Sequence, residues 1–211
     1  MEITFLTAFI VLIYTSILVE IIFFHVPSVA STYQLFFLDS DDHITGGLLS
    51  KVHNLPPAQK FLILFVPALI SLTVYCLPLI LVFFPALKIY FYPIHILEQN
   101  YLIYSGVLLT VSGRGVSMHA VFRIRRCSSQ NGNDFSLITD SIFQLSRNPV
   151  LIGMYITFSG LFLVFPSFVL VIGFFIYISN MHFRVLLEED FLKHKFRDQY
   201  DNYLSRTRRY I

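Results

Sequence analysis

From Asn148 to Met181 the chain runs for 34 residues without an aspartate, glutamate, lysine or arginine. As one α-helix that run would be about 50 Å long, against a bilayer hydrocarbon core of about 30 Å. It is therefore expected to fold back on itself. Phe165-Pro166-Ser167 lies at its middle, and proline suits the first turn of a second helix. The expectation is a tight hairpin of two short helices, 149–165 and 167–184. Three further charge-poor blocks precede it. Ile3 to Phe24 is broken only by Glu20, Phe61 to Leu87 lies between Lys60 and Lys88, and Tyr101 to Phe122 is interrupted by Arg114 and His119. Each matches one crossing of roughly 20 residues. The fold expected is all-α: a polytopic membrane bundle of about five transmembrane helices, the last two a hairpin. Pro67, Pro78 and Pro85 predict kinks in the second.

Composition excludes the soluble alternative. Only 13% of residues are charged, where a soluble domain carries about 25%. With 211 residues there is room for one domain, 1–211. The first block reads as a retained helix, because it opens with Glu2 rather than a basic segment and is too long for a signal peptide. Cys76 is expected in a helix and Cys127 in a loop, with no disulfide framework. The seven histidines show no HxxxH or HExxH spacing, so no metal site is expected.

The basic residues set an orientation. Arg123, Arg125, Arg126 and Arg147 follow the third block, and Arg184, Lys193, Lys195, Arg197, Arg206, Arg208 and Arg209 fill the C-terminal stretch. A hairpin between the two clusters puts both on one side, which the positive-inside rule makes cytoplasmic. The loop 26–59 is then cytoplasmic too. The net charge of +2 does not suggest nucleic acid; these cations suit lipid head groups or a small anion.

Titratable groups gather on that side. His182 and Glu189 are seven apart and share a helix face, and Arg184 and Glu188 are four apart and can pair. Leu192, Phe196, Tyr200 and Tyr203 recur at helical spacing among charges, which predicts an amphipathic helix on the membrane surface or on the bundle. In the third block, Arg114 precedes Arg123 by nine residues, roughly 13 Å of helix. It is thus an intramembrane cation in need of a partner or a wet cavity. Gly113 and Gly115 flank it and allow a ligand or a neighbouring helix to approach. Plainer roles stand beside these: helix packing for the glycines, a surface-reaching Arg114, a solvated Glu188-Glu189, a structural His182, an interfacial Arg147 and Glu20, and a helix-start role for Pro149.

Taken together, "GRG" at 113–115, "TDSIFQLSRNPVLIG" from Thr139 and "EEDFLKHKFRDQYDNYLSRTRRYI" from Glu188 resemble the integral-membrane methyltransferases typified by isoprenylcysteine carboxyl methyltransferase and phosphatidylethanolamine N-methyltransferase. The resemblance covers roughly 100–211, a donor-binding half, and leaves 1–99 as variable N-terminal helices. It implies S-adenosylmethionine as methyl donor, bound at the cytosolic end of the hairpin, with a lipid or prenylated acceptor. By the same resemblance Gly113, Gly115, Arg147, Asn148, Pro149, Gly153, His182, Glu188 and Glu189 line the donor site, and Arg147, His182 and Glu189 are the catalytic candidates. Three positions depart from the family pattern: Asn148 stands for a histidine, Leu151 for a tyrosine, and Arg197 for the glycine after Phe196.

The chemistry fits those residues. A glutamate holds an ammonium, an arginine or histidine holds a carboxylate, and methyl transfer requires chiefly that donor and nucleophile be aligned. An amine acceptor would also need a base, for which Glu20 and His119 are the spare candidates. Two rivals remain. An NADPH-dependent sterol-type reductase ends in a similar half but carries a later tryptophan, and this chain has none. A non-enzymatic membrane scaffold is the other.

Overall fold

The computed structural model describes residues 3–23, 47–130 and 136–211. It is all-helical, and no β-strand occurs among the described residues. The helices are α1 (Ile3–Phe23), α2 (Gly47–His53), α3 (Pro57–Phe83), α4 (Asn100–Gln130), α5 (Pro149–Val164), α6 (Phe168–Phe196) and α7 (Asp198–Arg206). Most of the expected loop 26–59 lies outside the described residues; its described end forms α2 and the start of α3.

Two helices, α3 and α6, are long and apolar enough to cross a membrane. The apolar stretches Phe5–Glu20 and Pro149–Val164 are shorter. Helix α4 is long enough but falls outside that set, because Arg114 and its glycine and serine neighbours dilute the apolar run. Large apolar side chains also lie on the outer faces of α1, α3, α4 and α6. Leu12, Leu69, Leu72, Leu108 and Phe175 are all more than half exposed, a distribution that suits lipid contact rather than water.

Proline chemistry sets several boundaries. Where the sequence predicts a kink at Pro85, α3 instead ends before it. Phe84 is held at φ −126°, ψ 67°, since the residue before proline is excluded from helical conformation. Pro78 stays inside α3, and a π-helical turn spans Phe61–Phe65 just before Pro67. Asn180 of α6 bonds to this region, donating to the Pro67 carbonyl at 3.1 Å and to Ser71 Oγ at 2.9 Å. Between α5 and α6 the chain turns at Phe165-Pro166-Ser167, and Ser167 Oγ caps α6 by accepting from the Leu170 N–H at 3.2 Å.

Two expectations about the later helices are corrected. Helix α4 continues to Gln130, so Arg123, Arg125, Arg126 and Cys127 stand on a helix rather than in a loop. Helix α6 does not stop at 184 but runs to Phe196, and the expected amphipathic helix is split. Arg197, at φ 42° and ψ −117°, breaks the chain between α6 and α7.

The core gathers Phe9, Ile10, Ile13 and Tyr14 of α1, Val74 and Tyr75 of α3, Phe158 and Leu161 of α5, and Leu170 and Tyr177 of α6. Phe158 stacks on Phe174 at 4.8 Å between centroids, and the Tyr177 hydroxyl donates to Met154 sulfur at 3.4 Å, so α5 and α6 pack on each other. Helices α4 and α5 meet along small residues. A side chain built at Gly113 would lie 2.4 Å from the Thr157 nitrogen, one at Gly153 2.5 Å from the Ser117 nitrogen, and one at Gly160 2.5 Å from the Gly106 carbonyl oxygen. Thr110 and Thr157 return their hydroxyls to their own helix, each at 2.8 Å, and leave the backbones free to touch.

Candidate functional site

The site is built where α5 begins. Pro149 occupies the first helical turn, where its missing N–H costs nothing and its fixed φ is already helical. Asn148 precedes it but does not cap the helix with its side chain. Its amide donates instead to the Arg209 carbonyl at 3.1 Å, and its backbone N–H donates to Ser146 Oγ at 3.1 Å. Ser146 Oγ donates to the same Arg209 carbonyl at 3.1 Å, and the Arg147 N–H donates to the Arg208 carbonyl at 3.0 Å. The threshold of α5 is thus sewn to the residues after α7.

The tail also reaches α6. Arg209 forks onto Glu189, with Nε at 3.1 and 3.0 Å from the two carboxylate oxygens and Nη2 at 2.7 Å from one of them. That carboxylate holds the Arg209 guanidinium above its ordinary pKa. Tyr210 places its hydroxyl 2.8 Å from His182 Nδ1. His182 and Glu189 therefore grip consecutive tail residues from one face of α6. Tyr203 of α7 donates to the Phe143 carbonyl at 2.6 Å. Burial pushes the Tyr200 phenol up to about 12 and raises Tyr203 as well.

Arg147 is the centre of this arrangement. Its side chain is 10% exposed, and Nη2 lies 3.3 Å from Glu189. Its Nε and Nη1 are buried with no hydrogen-bond partner. Two cavities, of about 190 and 110 Å³, adjoin here and share Arg147, Asn148 and Glu188 in their walls. Pro149, Met154, Met181 and Arg184 line the first; Glu189, Tyr200 and Tyr203 line the second. Buried guanidinium N–H groups without partners are rare because each costs about 1–3 kcal/mol, and they demand an explanation such as a water or a ligand.

Of the residues singled out from the sequence, Arg147, Asn148, Pro149, Glu188 and Glu189 come together at the two cavities. His182 joins them through Tyr210. Gly113 and Gly153 meet each other in the α4–α5 contact, whereas nothing lies within 4 Å of where a Gly115 side chain would be. Glu20, 18% exposed, and Arg114, 6% exposed, pair at 2.6 Å in another part of the bundle. His119 lies 3.5 Å from Ser141 Oγ at an exposed position. Sequence reasoning missed the roles of Ser146, Arg209 and Tyr210, and the basic-aromatic ending "RTRRYI" was the only trace of the last two.

The donor set fits the two ends of an amino acid: partnerless guanidinium N–H groups for a carboxylate, and the Glu188 carboxylate for an ammonium. The cavities together reach about 300 Å³, the lower bound of small-ligand sites. Neither a curated protein nor a solved structure matches the chain. A family model does: residues 101–199 match that of the phospholipid methyltransferases, so the stretch from the first turn of α4 to the first turn of α7, with Arg147, Glu188 and Glu189 inside it, is similar to that family.

Proposed function

We propose that this chain is an integral-membrane, S-adenosylmethionine-dependent methyltransferase acting on a lipid-like acceptor at the Arg147–Glu188–Glu189 site. The observation that carries the reading is the buried Arg147 with two partnerless N–H groups, set at the junction of two cavities in a stretch that matches a methyltransferase family.

The roles divide among this chain's own groups. Arg147 holds the donor's carboxylate through one of the N–H groups that its own neighbours leave unpaired. Glu189 already binds Arg147 and Arg209 and fixes the arginine. Glu188, in the walls of both cavities, takes the ammonium. His182 and Tyr210 hold the tail in place as a cover. When bound, S-adenosylmethionine supplies an electrophilic methyl on a sulfonium. The apolar walls around it, Met154, Met181 and Val185, keep water out. Low dielectric favours any step that merges an anionic nucleophile with a cation.

Placement follows from charge and length. Helices α1, α3, α4, α5 and α6 make five crossings, with the α5–α6 pair as a hairpin. The arginines of late α4, Arg147 and the basic tail share one end, and that end is cytoplasmic. A water-soluble donor arrives there from the cytosol, and the acceptor arrives sideways from the bilayer.

The test is calorimetry of the purified protein with S-adenosylhomocysteine. Binding is expected, and Arg147→Ala is expected to weaken it by about 10- to 100-fold, the loss of one or two charged hydrogen bonds. Binding of NADPH instead would move the chain to the reductases, and binding of neither would leave a scaffold. Membranes incubated with methyl-labelled donor then identify the acceptor. Base-labile volatile label marks a prenylcysteine-type methyl ester, and label in the lipid extract marks a phospholipid.

A further inference from the structure

A larger cavity lies at the other end of the bundle. Helix α5 separates it from Arg147, a distance of about 24 Å for its 16 residues. Its volume is about 340 Å³, and its walls are Leu6 of α1, Leu81 and Val82 of α3, Ile103 of α4, and Val164 and Phe165 where α5 ends. A dry apolar cavity of roughly 150 Å³ is enough to hold a benzene ring. This one is more than twice that size and almost wholly apolar at depth.

The walls are fixed by backbone. The connector between α3 and α4 is bonded to the α5–α6 turn: the Ile94 N–H donates to the Pro166 carbonyl at 2.9 Å, and the Phe168 N–H donates to the Tyr92 carbonyl at 3.2 Å. Among the described residues, the only charges in the lining are Lys88 and Glu98. Lys88 Nζ lies 2.5 Å from Glu98 Oε1, with the side chains 51% and 27% exposed. His95 Nδ1 lies 3.1 Å from Glu98 Oε2, and these two neighbours, Lys88 foremost, hold the Glu98 carboxyl below its ordinary pKa. Lys88 is exposed and Glu98 half-buried, and a partly exposed pair of this kind contributes about 0–1 kcal/mol, so Lys88 can exchange partners at little cost. On the connector and the first turns of α4, Tyr90, Tyr92, Tyr101 and Tyr104 are exposed, the residue type that sits at lipid head-group level.

We propose that this cavity is a phospholipid-binding site, taking one hydrocarbon chain between α1, α3 and the α5–α6 turn and a zwitterionic head group at Lys88 and Glu98. The pairing is complementary in sign: phosphate to Lys88 and ammonium to Glu98. Apolar walls favour each methylene that leaves water for the cavity. The exposed tyrosines fix the source as the leaflet at this end. The inference does not rest on methyl transfer, because nothing at this end touches Arg147 or Glu188.

The chain has no tryptophan, so a single Phe91→Trp substitution at the cavity wall provides a clean fluorescence reporter. Phe175→Trp, at a position 66% exposed on the outer face of α6, reports ordinary lipid contact. The probes are phosphatidylcholine and phosphatidylglycerol brominated in the same chain position, titrated into the protein in micelles. The expected result is saturable quenching of Phe91→Trp by the choline lipid at about one-tenth of the mole fraction needed for the glycerol lipid, a difference of about 1.4 kcal/mol. The two lipids quench Phe175→Trp alike. Lys88→Gln with Glu98→Gln removes the preference, and Val164→Phe, which fills the cavity, removes the saturable component. Should Phe91→Trp fail to fold, Tyr92→Trp reports from the mouth. Quenching of the wall reporter that follows the outer-face reporter for both lipids would overturn the proposal, as would a preference unaffected by the Lys88 and Glu98 changes.

Discussion

Arg114 and Arg147 both face glutamates, and they are finished differently. Arg114 of α4 donates through Nη2 to Glu20 at 2.6 Å and through Nε to Ser16 Oγ at 3.1 Å, so it ties α1 to α4 with charge against charge. Arg147 reaches Glu189 only at 3.3 Å and leaves Nε and Nη1 without partners, and Glu189 is held more closely by Arg209. The first pair is closed and has no cavity beside it among those described. The second is open and sits between two. A buried charge whose hydrogen bonds are all made is a fastener, whereas one with donors to spare in a cavity wall is a receptor for something with lone pairs.

The largest effect should come from opening the closed pair. Arg114→Met leaves Glu20 buried without its partner, which costs about 3 kcal/mol or more. The paired change Arg114→Met with Glu20→Met should recover most of that, because two apolar groups replace two opposed charges. Arg147→Met should cost about 1 kcal/mol or less, since Glu189 keeps Arg209 and a buried polar group without partners is removed. Thermal unfolding in one detergent measures all three. Equal losses for Arg114→Met and Arg147→Met would erase the distinction between fastener and receptor.

The glycines beside Arg114 sharpen the same contrast at smaller amplitude. Gly113 and Gly153 have neighbouring backbone 2.4 to 2.6 Å from any added side chain, and backbone cannot swing aside. Gly113→Val and Gly153→Val should each cost about 2 kcal/mol by overpacking. Gly115 faces open space, and Gly115→Ala should stay within about 0.5 kcal/mol. If Gly115→Ala abolished S-adenosylhomocysteine binding in a folded protein, Gly115 would join the donor site and the open region would extend along α4.

These comparisons show what the sequence could and could not carry. The apolar blocks were legible because length and charge depletion act locally, and so was the i, i+7 relation that sets His182 and Glu189 on one face. The convergence of Arg-Asn-Pro with the twin glutamates was legible only through their order and spacing taken together. Long-range pairing was not. Glu20 and Arg114 are 94 positions apart, and no local pattern joins them. The tail's hold on Ser146, Arg147 and Asn148 is a set of backbone carbonyls, which any residue type supplies. The GRG motif suggested a ligand because glycine removes bulk, but bulk can be removed for a helix as well, and at Gly113 the helix is what fills the space. The run through Phe196 was missed because charged residues after 184 are as compatible with a helix as apolar ones.

Arg197 offers the finest test. It adopts φ 42° and ψ −117°, a conformation that suits glycine and strains any side chain. The backbone must turn there so that α7 can fold back and deliver Arg208, Arg209 and Tyr210 to the open pair. Arg197→Gly should therefore stabilise the protein by about 1 kcal/mol, the strain relieved less the extra freedom glycine gains in the unfolded chain. The gain should appear in thermal unfolding of the wild-type background and persist when Arg147→Met is also present, since the turn and the guanidinium act on different parts of the chain. A loss of stability instead would mean that the Arg197 side chain holds α7 in place by contacts of its own, and the tail's position over Glu189 would then depend on that arginine rather than on the turn.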